Sequence, residues 1–313
     1  MVLHTAVKKS SLGTSIAKYV KRDYQIYILL LPILAVVVIF SYIPMYGVII
    51  AFKNFRFNEG ILGSEWVGLQ HFKRFVTMPQ FRMVLQNTLS ISLYSIAVNF
   101  PAPILLAIFL NECVFSRFKK TVQLVSYAPH FISTVVMCGM ILLFLNRSNG
   151  MVNNLLEALG FARIDFMTEP KMFQSIFVLT ELWQRLGWNS IIYLAALSSV
   201  DPQLIEACAI DGASRFQKII HVDMPSLQPT IIILFILTLG SLLNVGFEKI
   251  LLLQNGLNMP TSDVISTYVY RVGLINGQYS YTAAIGIFNS VVNFVLLVTV
   301  NRIVNKMSGV SLW

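Results

Sequence analysis

The chain of 313 residues is 56% hydrophobic and only 12% charged, with a mean hydropathy of +0.70, whereas soluble domains carry about 25% charged residues. Those figures exclude a soluble globular fold and point to an all-α integral membrane protein. The formal net charge of +9 calls for no nucleic-acid partner, because the basic tail and short loops of a membrane protein account for it.

Residues 1–22 are polar and basic, with Lys8, Lys9, Lys18, Lys21 and Arg22, and suit a cytoplasmic tail lying against anionic headgroups. The remainder, 23–313, reads as a single transmembrane domain with six apolar runs, at about 26–52, 84–110, 122–145, 172–198, 227–247 and 281–304. Each is long enough to cross a hydrocarbon core about 30 Å thick as a helix rising about 1.5 Å per residue. A closed barrel would show short alternating strands instead. The first run is about twice the length of a signal-peptide core, so it is expected to stay in the mature chain. Totals of Lys and Arg barely distinguish the two orientations. The short segment 111–120, with Arg117, Lys119 and Lys120 against one acid, places both termini on the cytoplasmic side.

Within the second run, Pro101 and Pro103 remove backbone donors and are expected to bend or break the helix. The loop 53–82 mixes basic residues with Trp66, Phe72 and Phe75, which suit a segment lying in the membrane interface. The apolar positions of 263–274 are expected to pack a short helix back against the bundle. Cys113, Cys138 and Cys208 read as small buried hydrophobes, and the four histidines are scattered, so no metal site is expected.

A charge near the centre of a span costs about 2.5–3.5 kcal/mol on insertion scales, so such residues face protein or water. In the fourth run Glu181, Arg185, Trp188, Asn189 and Tyr193 recur on one helical face. With Asn99, Asn244, Asn289 and Asn293 they are the candidates for lining a solute path. The alternatives are interfacial anchoring for Glu181 and its aromatic neighbours, and interhelical hydrogen bonds of about 0.6 kcal/mol for the Asn residues.

Between the fourth and fifth runs the chain reads IEACAIDGASRFQKIIHVDMPSL over 205–227. Asp201 can cap a helix that Pro202 opens. From 202 to 210 that helix is about 13 Å long, far too short to span. Gly212 supplies a turn, and a second helix over about 214–222, with Phe216, Ile219 and Ile220 on one face, is expected to stop at Pro225. The result is a polar knuckle on the cytoplasmic side. By physics alone it is either a docking element or a simple connector.

The segment resembles the EAA motif of permease subunits of binding-protein-dependent ATP-binding-cassette importers. That motif reads E-A-A, three residues, G, nine residues, then I-x-L-P. Here it is Glu206-Ala207-Cys208, Gly212 and Val222-Asp223-Met224-Pro225, with every spacing kept and three replacements of similar size. Tyr42-Ile43-Pro44-Met45-Tyr46-Gly47, Ile50-Ala51-Phe52-Lys53 and Trp66-Val67-Gly68-Leu69 are similar to the group of sugar-importer permeases that take up oligosaccharides from polysaccharide breakdown. The resemblance implies the six-helix fold of type I importer permeases, of the maltose-transporter kind, in a bacterial inner membrane. It makes 201–225 a coupling segment that meets an ATPase through Glu206, Ala207, Cys208, Asp211, Gly212 and Phe216. It also implies a second homologous permease, two ATPase subunits carrying ATP and Mg, an extracytoplasmic solute-binding protein, and alternating access.

No Gly is followed directly by Lys, so the chain lacks the GxxxxGK[ST] phosphate loop and is expected to be a non-catalytic subunit. The alternative function is a self-contained secondary transporter or channel, which calls for intramembrane carboxylates or broken helices at matched positions. Only Glu181 answers to that description.

Overall fold

The computed structural model describes residues 22–313. The expected basic tail therefore lies, apart from Arg22, outside the described residues. Among those residues four helices are long and apolar enough to cross a membrane, or six if each of two bent pairs makes one crossing. Helix α1 is Tyr24–Phe52, followed by the short α2, Gln70–Thr77, and the long α3, Pro79–Glu112. The first bent pair is α4, Ser116–Phe131, with α5, Thr134–Phe144. After α6, Met151–Ala158, comes the second pair, α7, Pro170–Ser198, with α8, Pro202–Ile210. The chain ends with α9, Arg215–Gly240; the short α10, Phe247–Leu253; α11, Ile265–Val269; and α12, Tyr279–Ser308.

Proline marks where several of these helices begin, because its missing N–H falls among the first-turn donors that have no intrahelical partner. Pro79, Pro170 and Pro202 all occupy such positions. In α3 the Pro101–Pro103 pair interrupts the regular helix for one residue, Phe100, between Pro79–Asn99 and Pro101–Glu112.

The third apolar run departs from the expected straight crossing. Its axis turns by 102° between α4 and α5. Ala128–Phe131 tightens into a 3-10 turn containing Pro129, and Ile132 is extended. Ser133 then caps α5 by accepting a hydrogen bond from the Val136 N–H at 3.4 Å. A capping Ser four residues after a Pro is a stop-and-restart signal, and the continuous apolarity of 122–145 masks it.

Lipid tails are as apolar as leucine, so the helices are held by close packing and polar contacts more than by the hydrophobic effect. At Gly187 α7 lies so close to α4 that a Cβ would run into the Ser126 carbonyl. Three packed clusters follow the length of the bundle. The first joins Ile91 of α3, Met137 of α5, Phe173 and Phe177 of α7, and Ile250 of α10. A second joins Phe75 of α2, Val84 of α3, Tyr268 of α11, and Tyr281 and Ile285 of α12. The third, nearest the knuckle, joins Ile104 and Ile108 of α3 to Tyr193 and Leu197 of α7 and Leu227 of α9.

The aromatic loop is packed onto the bundle. Lys53–Asn54 (β1) pairs antiparallel with Glu65–Trp66 (β2), and Phe52 stacks on Trp66 and Phe72 with centroids 5.8 and 5.4 Å apart. Phe75 is buried in the second cluster, so α2 is docked on α12. The segment 263–274 folds back as anticipated, through α11 and a π turn, Tyr270–Ile275. Asn87 donates to the carbonyls of Pro260 and Asp263, and the Ile265 N–H donates to Thr88 Oγ1. The buried Asp263 pairs with Arg271 through two hydrogen bonds, of 3.1 and 2.5 Å.

Candidate coupling knuckle and solute cavity

The knuckle forms over the expected residues. Asp201 Oδ1 accepts from the Gln203 N–H at 2.9 Å, capping α8, which turns away from α7 by 74°. Among the described residues, none of α8 is buried, and little of the described chain lies against it. Gly212 follows in the left-handed region at φ +69°, which a residue with a Cβ adopts only at a cost of about 1 kcal/mol or more. Glu206, Ala207, Asp211, Gly212 and Phe216 are all exposed and Cys208 half-buried. Apolar Ile210 and Phe216 stand 87% and 69% exposed, as a surface meant for a partner would have them.

The second helix of the knuckle does not stop at Pro225. Ser214 and Gln217 form a capping box at its start. The chain then widens into a π turn, Ile219–Asp223, and continues as regular helix from Met224. The π turn shifts the hydrogen-bond register, as in the Met224 N–H bond to Ile219 O. That shift lets a proline without a donor sit inside a continuous helix.

A cavity of about 470 Å³ opens between α3, α7 and α9. Six of the nine residues picked out for a path line it: Asn99, Glu181, Arg185, Trp188, Asn189 and Tyr193. A polar chain runs across its wall. Asn99 donates to Ser95 Oγ at 2.9 Å, Ser95 donates to Glu181 Oε2 at 3.3 Å, and Arg185 Nε lies 3.6 Å from Glu181 Oε1. Glu181 is shielded at 18% exposure while Arg185, at 60%, reaches into the opening. The Asn99 Oδ1 is buried without a partner among the described residues. One face of Trp188 is already occupied by His130, stacked 4.2 Å away and nearly parallel.

The other three Asn residues lie elsewhere. Asn289 donates to Asn244 Oδ1 at 2.9 Å, and Asn293 is buried with its Oδ1 accepting from the Leu243 N–H. These are bonds between α12 and the turn after α9, the structural alternative weighed for them. Ser95, Ile96, Phe100, Pro103, Ile192, Leu234 and Thr238 complete the cavity wall and were not legible as such. Ser95 had a signal, since it lies one turn before Asn99 on the same face.

Residues 99–309 match the model of the family described as binding-protein-dependent transport system inner membrane component. The chain belongs to this family of permeases. It is 40% identical over 299 residues to the polygalacturonan/rhamnogalacturonan transport system permease protein YteP of Bacillus subtilis (strain 168), covering 96% of this chain and 93% of that one. To protein LplB of the same strain it is 39% identical over 301 residues, covering 96% and 95%. A bacterial ABC transporter involved in import of the acidic polysaccharide alginate has a chain that superposes with a TM-score of 0.87 at 40% identity, covering 94% of the permease and 99% of that chain. A second structure of a bacterial alginate transporter, in complex with an alginate-pentasaccharide-bound periplasmic protein, gives 0.86 at 39% identity, again covering 94% and 99%. The permease thus has the type I importer fold, with the knuckle after the end of α7 and the cavity along its length.

Proposed function

We propose that the permease is the membrane subunit of an ATP-driven importer that carries oligosaccharides from polysaccharide breakdown, delivered by an extracytoplasmic binding protein, across the bacterial inner membrane by alternating access. The observation that carries this reading is α8, a capped helix that touches little of its own chain, in a sequence that keeps the spacing of the EAA motif. ATP and Mg are held by two separate ATPase subunits, and α8 with Gly212 and Phe216 seats in them on the cytoplasmic side, where both termini also lie. Closure of the ATPases pushes α8, and the 74° joint with α7 passes the push to the helix that carries Glu181, Arg185, Asn189 and Tyr193. The cavity then forms half of a pathway. Arg185 and Asn189 offer donors to sugar hydroxyls or a uronate carboxylate, and the half-exposed indole of Trp188 offers apolar contact.

A second homologous permease supplies the other half. The apolar side chains of α1 support this, since among the described residues none in its central stretch is buried, while its end, Tyr46–Phe52, packs against α12. The test uses the importer reconstituted in vesicles with its ATPases, partner permease and binding protein. Gly212→Pro, which cannot adopt φ +69°, and Ala207→Trp, which fills the contact face, are expected to insert normally and abolish uptake. Unaltered uptake in both would remove the role given to the knuckle, and solute flux through the chain alone would favour a self-contained transporter.

A further inference from the structure

A charged cluster at the knuckle end of the bundle, away from the cavity, has no part in the mechanism above. Lys218 donates to the carboxylate of Glu112, the last residue of α3, and its Nζ stands 3.6 Å from Asp223 Oδ2. The three side chains are 19%, 15% and 1% exposed respectively. The π turn makes the arrangement possible. Residues five apart on an α-helix point about 140° away from one another, whereas a turn whose hydrogen bonds run from i to i+5 brings residue i+5 near residue i. Lys218 and Asp223 therefore close on one side, and Glu112 arrives from α3 to share the ammonium. The Lys218–Glu112 bond ties residues 199–226 to a part of the chain distant in sequence, while the other side-chain bonds of the segment, at Ser199, Asp201, Ser214, His221 and Ser226, are local.

The far end of this link bears on the cavity. The helix that Glu112 ends, α3, also carries Ser95, Asn99 and Pro103 of the cavity wall. Peptide continuity joins the knuckle to α7 and α9, but α3 has no covalent connection to it, and partly buried charges in salt-bridge contact hold a fixed geometry better than apolar contacts that can slide.

We infer that Lys218 is a positioning residue that clasps α3 to the knuckle, so that the stroke which moves α7 moves the Ser95–Asn99 wall of the pathway with it. This rests on the reading of the knuckle as the coupling segment. In the reconstituted importer, with a labelled oligosaccharide digest of polygalacturonan as the probe, the readout is solute taken up per ATP hydrolysed. Lys218→Met and Glu112→Gln are each expected to lower that ratio about tenfold, the double variant no further than either single, and Lys218→Arg to keep it near the unaltered value. A ratio unaltered in both single variants, or a double variant whose loss is the product of the two, overturns the clasp. If Lys218→Met fails to assemble, Glu112→Gln against Lys218→Arg decides by the same criterion. Gly212→Pro, measured alongside, separates the two claims. If it uncouples while Lys218→Met does not, only the clasp falls; if it too leaves the ratio intact, the coupling role of the knuckle falls first.

Discussion

Lys249 is 6% exposed and, among the described residues, has no carboxylate within ion-pair distance. Its ammonium is held by one bond to the Phe177 carbonyl, 3.3 Å away, and by the Phe177 ring at 5.1 Å. Burial pushes its pKa down from 10.5 to about 8, against the opposing pull of Glu181. The folded chain therefore binds fewer protons here than the unfolded chain between about pH 8 and 10.5. Stability should rise with pH across that window, and the whole cost should be present below it. Lys249→Met, similar in length and uncharged, is expected to raise stability at pH 7 by on the order of 3 kcal/mol and to flatten the rise above pH 8. Thermal unfolding in detergent as a function of pH measures both effects. A residue that costs stability and faces the acid of the cavity wall is the kind that function retains.

At the scale of elements, the permease is built from helices that stop, turn and resume. The segment after α10 returns to the bundle through α11 and a π turn, and the buried Asp263 organises it, pairing with Arg271 and also accepting from Thr267 Oγ1 at 2.9 Å. Removing one partner leaves the other charge uncompensated. Asp263→Ala should therefore destabilise by about 1–3 kcal/mol, since the Arg271 left behind is 31% exposed and can be hydrated, and Asp263→Asn, which keeps the size and one acceptor oxygen, by less. Limited proteolysis of the 254–278 segment together with the unfolding midpoint checks the order. If Asp263→Ala matched the parent protein, the segment would be held by its apolar contacts alone.

At the scale of the whole molecule, α1 is the anomaly. It is the most apolar span, and among the described residues its central stretch is not buried, while Ala51 near its end is fully buried. Such a helix either meets only lipid or packs on a second subunit, and the second permease proposed above would occupy it. A permease in which the exposed α1 residues Leu29, Leu31, Ile33 and Phe40 are replaced by Ala keeps every crossing and is expected to insert. It should lose co-purification with its partner permease by tenfold or more, because about 1.4 kcal/mol already corresponds to a factor of ten. Retention of the complex would return α1 to the lipid.

Composition and hydropathy alone determined that the chain is a helical membrane protein, because the bilayer demands long apolar helices and leaves their lengths and positions visible in sequence. The knuckle was equally legible, since Asp201, Pro202 and Gly212 act through local backbone preferences that need no distant partner. Tertiary structure alone decided the 102° turn between α4 and α5, the continuation of α9 through Pro225, the docking of Phe75 in the core and the division of the path candidates between a cavity and structural bonds. Each of these depends on which residues of other helices come within a few ångströms. A pattern repeating every few residues shows which face a side chain occupies, but what stands opposite that face is set by contacts between positions far apart in the chain, such as Lys218 and Glu112 or Ser95 and Glu181.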